Sequence, residues 1–280
     1  MGIVIGMKRR GLMIVRAGDR SLHPHWLRGS GDRNWDLHIS YFGKETNPYS
    51  DRPSDVSLSF ETGPKFPGIS SCLEELKGRI NDYEYIGFPD DDIYASKEVW
   101  NNFLNITILH KPLVSQPAIH PNSFIGHWWL VQRPQFALRW VNFVEVMTPF
   151  FSREALYRAA PDFNANKSGW GLDWYWPHLF NADSRTMCIV DAAPVLHTRE
   201  FGAGPLYKVL KSAGGPSPED DLRDFLNSKG VQRLPVRVYS ALRPDGSVVE
   251  NPVGADAPLW IPRIRTAIRR ALSIKSIKVD

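Results

Sequence analysis

Three consecutive carboxylates, Asp90, Asp91 and Asp92, are the residues whose types and spacing most directly suggest chemistry in this chain. They follow the apolar and aromatic stretch 83–88, which has the composition of a buried strand. Adjacent like charges repel one another, and burial adds a desolvation cost unless a positive charge compensates. A divalent cation held by carboxylate oxygens would compensate, and open α/β sheets bind ligands at the carboxyl ends of their strands. The competing interpretation is a solvated acidic turn.

The segments before these aspartates alternate between strand and helix patterns. Apolar or alternating residues at 12–15, 36–42 and 56–60 predict three strands. Residues 69–80 carry apolar side chains at helical spacing and predict a helix just before the aspartate strand. Strand, loop, helix and strand in this order favour a parallel sheet with right-handed crossovers. We therefore expect an α/β fold that presents Asp90–Asp92 at one edge of its sheet.

The middle of the chain supplies further elements. Alternating residues at 140–146 predict a strand, and the apolar run 187–190 predicts a buried strand that ends at Asp191. Ser152 is expected to cap a short helix that reaches Arg158. These elements would complete the core around the same sheet.

Residues 201–280 differ in character and predict an extension to a first domain of residues 1–200. A cap, proline and acid pattern at 217–220 predicts a helix, and an Asp-Gly turn within 236–251 predicts a hairpin. The stretch 261–272 has an apolar face surrounded by arginines and predicts a basic amphipathic helix. That helix would either dock on the core or make peripheral contact with an anionic membrane surface.

The composition indicates a globular chain with a mild basic bias. Of 280 residues, 42% are hydrophobic and 12% aromatic, which suffices for a large core and excludes a disordered chain. The net charge of +4 fits an anionic ligand or an anionic membrane surface, and we expect no nucleic acid partner. The two cysteines, Cys72 and Cys188, exclude a disulfide framework and a cysteine zinc site. We expect a cytoplasmic protein that can reach the inner face of the membrane, since no apolar run approaches the roughly 18 residues of a span.

Several motifs occur in a suggestive order. Gly63-Pro64-Lys65 precedes a predicted helix, and the next predicted strand ends at Asp90-Asp91-Asp92. Gly169-Trp170-Gly171-Leu172-Asp173 and Val195-Leu196-His197-Thr198-Arg199 follow later. Together these motifs resemble the donor half of GT-A type glycosyltransferases that use nucleotide-diphosphate sugars. More narrowly, they resemble a glycosyltransferase-like domain family of unknown function, over roughly residues 10 to 200.

The resemblance implies a single Rossmann-like GT-A domain, with a mostly parallel central sheet flanked by helices. It also implies a metal site, in which Asp90, Asp92 and His197 would bind Mn²⁺ or Mg²⁺. The metal would bridge the donor's two phosphates and neutralise the charge on the departing nucleoside diphosphate. Asp91 or Asp90 would alternatively contact the ribose, because the triplet does not define which two aspartates bind metal.

The resemblance assigns further residues to the donor and the acceptor. Arg16 and Lys65 would place positive charge near the phosphates or the base, and Gly18 and Asp19 would lie at the nucleotide pocket. Asp173 is the candidate general base for an acceptor hydroxyl in an inverting displacement. A glutamate that precedes the aspartate in many inverting members is replaced here by a leucine, so the stereochemistry stays open.

Each of these residues also has a structural interpretation. Glu145 is a second carboxylate that would serve as base if Asp173 only satisfies backbone N–H groups at a helix start. Trp170, Trp174 and Trp176 would offer flat faces to a sugar, although large aromatics more often pack in a core. A lone histidine such as His197 is also more often structural than a metal ligand.

The predicted function is therefore a metal-dependent glycosyltransferase in cell-surface polysaccharide or glycolipid assembly. Its partners would be a nucleotide-diphosphate sugar donor and a glycan or lipid-linked glycan acceptor. Clustered aspartates and a histidine also occur in metal-dependent phosphoester or nucleotide hydrolases, which are the first alternative. A non-catalytic glycan-binding protein on the same fold is the second, because a fold does not guarantee a function.

Overall fold

Strands and helices alternate along the first half of the chain, as the hydrophobic pattern predicts. The computed structural model describes residues 10–165, 167–200 and 217–252. The strands are β1 Gly11–Ala17, β2 Trp35–Tyr41, β3 Ser57–Phe60, β4 Tyr85–Gly87, β5 Ile93–Tyr94, β6 Val114–Ile119, β7 Leu138–Val141, β8 Phe150–Ser152, β9 Met187–His197, β10 Val238–Leu242 and β11 Val248–Glu250. The α-helices are α1 His23–Trp26, α2 Lys65–Glu75, α3 Lys77–Ile80, α4 Lys97–His110, α5 Arg153–Ala159, α6 Leu172–Leu179 and α7 Pro218–Ser228, with short 3-10 helices at Trp128–Leu130 and Ala160–Asp162.

One large sheet organises these elements. Its strand order in the described residues is β11-β10-β7-β9-β6-β8-β4-β1-β2-β3, and β5 pairs separately with β9. The pairings give seven strands one common direction, and only β7, β8 and β11 oppose it. All seven residues of β1 are buried, as expected of a strand covered on both faces. The structure confirms the predicted α/β class with a mostly parallel central sheet flanked by helices.

The register of the parallel strands brings several strand ends together. Ala17 at the end of β1 lies opposite Tyr41 at the end of β2, and Tyr41 lies opposite Phe60. Beyond β4, Asp90 forms a parallel bridge with Arg16. The loop after β1 and the Asp triplet therefore meet at one edge of the sheet, which we call the carboxyl edge.

Strand β9 runs further than its sequence predicts. The predicted strand ends at Asp191, but β9 continues to His197. Asp191 does not end it because its carboxylate pairs with Arg139 on β7 at 2.8 Å, and both side chains are fully buried. The neutralised carboxylate can remain inside the sheet, and the extra residues carry His197 to the carboxyl edge.

The strand predicted at 140–146 is wrong beyond Val141. Strand β7 ends at Val141, and the following residues form no regular element before β8. The side chain of Asn142 binds the backbone of a distant segment, accepting from the Arg237 N–H at 2.7 Å. The Gln116 side chain accepts the backbone N–H of Glu145 at 2.6 Å, which replaces a strand partner.

The described part of residues 201–280 extends the main sheet. Ser217 caps α7 with a reciprocal capping box, as its sequence predicts. The predicted hairpin forms β10 and β11, and β10 pairs with β7 at the edge of the sheet. The basic helix predicted at 261–272 lies outside the described residues, and the proposed boundary near residue 200 stays a prediction. Among the described residues, no helix is both long and apolar enough to cross a bilayer.

Candidate active site

Strand β5 explains how a histidine late in the chain reaches the Asp triplet. Ile93 of β5 lies opposite His197 at the end of β9. The backbone N–H and the hydroxyl of Thr198 both donate to the carbonyl of Asp92, at 3.1 and 2.8 Å. Backbone pairing and a side-chain bond therefore fix the position of His197 beside Asp92.

Asp92 and His197 form a close pair. His197 Nε2 lies 3.3 Å from Asp92 Oδ2, and its Nδ1 lies 2.8 Å from the carbonyl of Phe124. The carbonyl favours a proton on Nδ1, which leaves Nε2 directed at the aspartate. Burial lowers the pKa of His197, but the hydrogen bond and charge of Asp92 outweigh burial and raise that pKa to about 9.

The same pair fits a divalent cation by its donor types. Asp92 Oδ1 is buried and has no hydrogen-bond partner, although a carboxylate oxygen in such a place normally has one. A carboxylate oxygen suits Mn²⁺, and so does an imidazole nitrogen once the metal has displaced the proton that Asp92 stabilises on His197. In the described residues, no group of three or more His, Cys, Asp or Glu side chains converges into a ready metal site. The protein would thus contribute few ligands, as in sites that substrate phosphates complete.

Asp91 connects two loops. Its Oδ2 accepts the Gly18 N–H at 2.9 Å, and its Oδ1 accepts from Arg199 Nη1 at 2.7 Å. Burial raises the pKa of Asp91, and the charge of Arg199 opposes that rise. The carboxylate therefore ties the loop after β1 to the segment after β9. The role of Arg199 was not predicted from the sequence. Its position two residues after the candidate histidine could have indicated that role.

Lys65 lies at the first turn of α2 and holds Asp90 in place. Its ammonium group is 2.5 Å from Asp90 Oδ1, 2.7 Å from the Val146 carbonyl and 3.0 Å from the Met147 carbonyl. An ammonium group has three N–H donors, and these three acceptors can use all of them. Lys65 thus positions Asp90 and the segment after β7, and its predicted contact with phosphate stays a prediction.

Arg16 and Asp19 lie at the end of β1, where the nucleotide pocket is predicted. The Arg16 guanidinium donates to Ser40 Oγ at 2.7 Å and to the Gly63 carbonyl at 2.9 Å, and only 5% of the residue is exposed. Asp19 accepts from the Tyr41 hydroxyl and from the Lys44 N–H. Arg16 therefore connects β2 to the loop before α2 and exposes little surface to a ligand, while Asp19 stabilises the loop in which it lies.

Asp173 occupies the first turn of α6, as predicted. Gly171 precedes the helix with a φ of 98°, a conformation that favours glycine. Asp173 is 5% exposed, and its Oδ1 accepts the Trp174 N–H at 2.9 Å. Burial raises its pKa to about 7, and hydrogen bonds from backbone N–H groups limit that rise.

Glu145 lies between the Asp173 helix and the Asp triplet. It is 5% exposed, and its Oε2 has no hydrogen-bond partner. Burial and then the charge of Asp173 raise its pKa to about 8, against the charges of His197 and Lys65. Asp173 on one side, and Asp90 and His197 on the other, are therefore all close enough to act electrostatically on Glu145.

A groove opens at Trp174, the residue that follows Asp173 in α6. Its volume is about 490 Å³, and it is lined by Trp128, Trp129, Trp174 and residues 233–236. Of the three tryptophans predicted to offer faces to a sugar, only Trp174 lines it. Trp176 is fully buried, and Trp170 packs half-buried against the core. Arg233 could not be predicted from the sequence, because residues 233–236 meet α6 only in the folded chain.

Comparisons with known proteins identify the fold. No protein-family description and no curated protein sequence matches the chain. Among solved structures, it is similar to GalNAc-T7 with UDP, GalNAc and Mn²⁺, at a TM-score of 0.54 and 10% identity over 78% of this chain and 47% of that one. It is also similar to residues 1–349 of TarS from S. aureus, at a TM-score of 0.45 and 12% identity over 68% of this chain and 60% of that one.

The likeness to GalNAc-T7 indicates the class of fold. The chain has a GT-A type, nucleotide-sugar glycosyltransferase-like fold, which confirms the fold that its motifs predict. It spans less than two thirds of the length of each of the two structures.

Proposed function

We propose that this protein is a glycosyltransferase that takes its sugar from a nucleotide-diphosphate donor with the help of Mn²⁺ or Mg²⁺. The observation that carries the proposal is the Asp92–His197 pair at the carboxyl edge, where Asp92 Oδ1 is buried without a partner. The fold adds support, because the similar GalNAc-T7 was crystallised with UDP, GalNAc and Mn²⁺.

Asp92 and His197 would hold the metal, and Asp90 is the next carboxylate along the same edge. When bound, the metal supplies positive charge that stabilises the departing nucleoside diphosphate. Lys65 keeps Asp90 oriented through their 2.5 Å contact. Asp91 holds the loop of Gly18, which we assign to the nucleotide side of the site, by accepting the Gly18 N–H.

Asp173 is the proposed general base. A base with a pKa of about 7 is substantially ionised at neutral pH and still accepts a proton readily. Burial also raises the pKa of Glu145, to about 8, and Glu145 is the second candidate for the base. Proton removal by Asp173 from an acceptor hydroxyl would accompany an inverting displacement. The acceptor would be a glycan or a lipid-linked glycan, and the basic sequence at 261–272 would assist contact with an anionic membrane.

A donor and product assay tests the proposal. Labelled UDP-, GDP- and dTDP-sugars are incubated with the protein, Mn²⁺ and a panel of glycan acceptors, and products are resolved by mass. We expect one donor to lose its sugar to an acceptor with release of the nucleoside diphosphate. Cleavage of the donor into a nucleoside monophosphate and a sugar 1-phosphate without an acceptor would instead indicate the hydrolase. Glycan binding without metal or nucleotide binding would indicate the non-catalytic alternative.

A further inference from the structure

The groove lined by Trp128, Trp129 and Trp174, which we call the tryptophan groove, is bounded by aromatic rings in contact with one another. Trp128 and Trp129 meet at ring centroids 5.4 Å apart, and Trp129 and Trp174 meet at 6.4 Å with an interplanar angle of 76°. All three side chains are only partly buried. The groove thus offers apolar ring surface on more than one side.

The opposite wall of the groove is an irregular segment that specific contacts hold in place. His178 Nε2 of α6 lies 2.8 Å from the carbonyl of Gln232. The Asn142 amide donates to the Pro235 carbonyl at 2.9 Å, and its oxygen accepts the Arg237 N–H at 2.7 Å. Bonds on both sides of Arg233 therefore fix the segment that carries it.

The groove adjoins the proposed catalytic carboxylates. Trp174 directly follows Asp173 in α6. The His127 ring stacks on Trp129 at 4.6 Å, and its Nε2 lies 3.9 Å from Glu145 Oε1. The groove wall at Trp129 therefore connects through His127 to Glu145, and Trp174 belongs to the helix that carries Asp173.

Arg233 gives the groove a positive charge. Its guanidinium carbon lies 5.0 Å from the centre of the Trp174 ring, and the residue is exposed. Within the described residues, no carboxylate forms an ion pair with it. A guanidinium on an aromatic face is well placed to pair with a carboxylate or a phosphate of a ligand.

We propose that this groove binds the acceptor, and that the acceptor is a saccharide carrying a negatively charged group next to the sugar that is extended. This inference rests on the proposed function. The tryptophan rings would contact the apolar C–H face of a sugar ring, and Arg233 would pair with its carboxylate or phosphate. Selection of the acceptor by charge would then reside in one side chain that is separate from the donor site.

Binding of defined saccharides by calorimetry, without donor or metal, tests the inference. Trigalacturonate is compared with neutral galactotriose, and maltose 1-phosphate with maltose. We expect the anionic member of at least one pair to bind about tenfold more tightly than its neutral counterpart, as for a hydrogen bond to a charged group. The pair that shows the preference distinguishes a carboxylate from a phosphate.

Variants separate this inference from simpler explanations. Arg233→Gln should reduce the preference to near unity, and Trp174→Leu should weaken both members of the pair. Arg243→Gln, at an exposed arginine of the hairpin turn that contacts Ser247, should change neither. No preference in either pair, no binding of any probe at about 10 mM, or a preference that survives Arg233→Gln would overturn the inference.

The same protein samples are tested for Mn²⁺-dependent stabilisation by nucleotide sugars. If donors bind and the anionic preference is absent, the inference about the groove fails and the proposed function stands. If saccharides bind and no donor does, the proposed function fails and a glycan-binding protein remains.

Discussion

Ionisation of Glu145 is unfavourable in the folded protein. Its side chain is almost completely buried, one carboxylate oxygen has no partner, and its pKa is raised to about 8. The folded protein therefore binds a proton at Glu145 between the ordinary pKa of a glutamate and about pH 8, whereas the unfolded chain does not. Because the native state binds more protons in that window, its stability falls as the pH rises through it.

Glu145→Gln should remove this penalty. The amide keeps the shape of the protonated acid and carries no charge, so the variant should match the wild type at about pH 5 and exceed its stability at about pH 9 by about 1–3 kcal/mol. Urea unfolding in the presence of EDTA measures the difference. A stability gap that is independent of pH would contradict the burial account of Glu145.

Asp173→Asn should abolish transfer and preserve donor binding. The amide oxygen can still accept the Trp174 N–H, so the start of α6 should persist, but the group can no longer accept a proton. We expect kcat to fall by about 10²–10⁴. In the wild type, kcat should rise with pH around the pKa of about 7.

Asp224→Asn, at an exposed aspartate of α7, is the matched control and should behave as the wild type. Transfer by Asp173→Asn at the wild-type rate would show that another group, with Glu145 as the first candidate, is the base.

At the scale of elements, close packing of strands β4 and β8 supports the Asp triplet. Gly87 at the end of β4 lies under the Phe150 ring of β8, and a Cβ at this position would come within 2.2 Å of that ring. The antiparallel pair places Gly87 directly opposite Phe150. A side chain at position 87 would push β8 away from β4. Because Gly87 lies three residues before Asp90, this displacement would also disturb the Asp triplet.

Gly87→Ala should therefore destabilise the protein by about 1–3 kcal/mol, the typical effect of overpacking a core. Gly78→Ala in α3 is the matched control, because a Cβ there meets nothing within 4 Å. The control should be neutral or stabilising by up to about 1 kcal/mol, from helix propensity and a restricted unfolded chain. Equal effects of the two substitutions in urea unfolding would argue against the packing explanation.

Local patterns predict the elements whose conformation depends on nearby residues. The buried strand β1, the start of α7 after Ser217 and the hairpin β10–β11 follow from a hydrophobic run, a capping box and an Asp-Gly turn. The end of β9 could not be predicted in this way, because Asp191 stays in the strand through its distant partner Arg139.

In the site, too, contacts between distant residues could not be predicted from local patterns. The order of motifs predicts that Asp92 and His197 meet. It does not predict that Arg199 binds Asp91, or that the donors of Lys65 are directed to Asp90 and two carbonyls. These contacts depend on how loops far apart in the chain pack at the carboxyl edge, which residue types and local spacing do not specify.

For the whole molecule, the proposed donor site lies at the carboxyl edge of the sheet, and the proposed acceptor groove is lined by residues after β6, in α6 and before β10. The loop after β1, the Asp triplet and the end of β9 converge at the donor site, and α6 carries both Asp173 and the Trp174 ring of the groove. A two-substrate reaction requires such an arrangement, because donor and acceptor must meet at the reacting carbon with correct orientation.

The most direct test of the central claim is the melting temperature of the wild type and Asp92→Asn with nucleotide sugars, in Mn²⁺ and in EDTA. A ligand that binds only the native state at a concentration 100-fold above its Kd stabilises it by about 2.7 kcal/mol. Asp82→Asn, at an exposed aspartate before β4, serves as control.

We predict that one nucleotide sugar raises the melting temperature of the wild type and the control in Mn²⁺ and not in EDTA. Asp92→Asn should lose that increase. No increase with any nucleotide sugar, or an undiminished increase in Asp92→Asn, would contradict a metal-assisted donor site at Asp92 and His197.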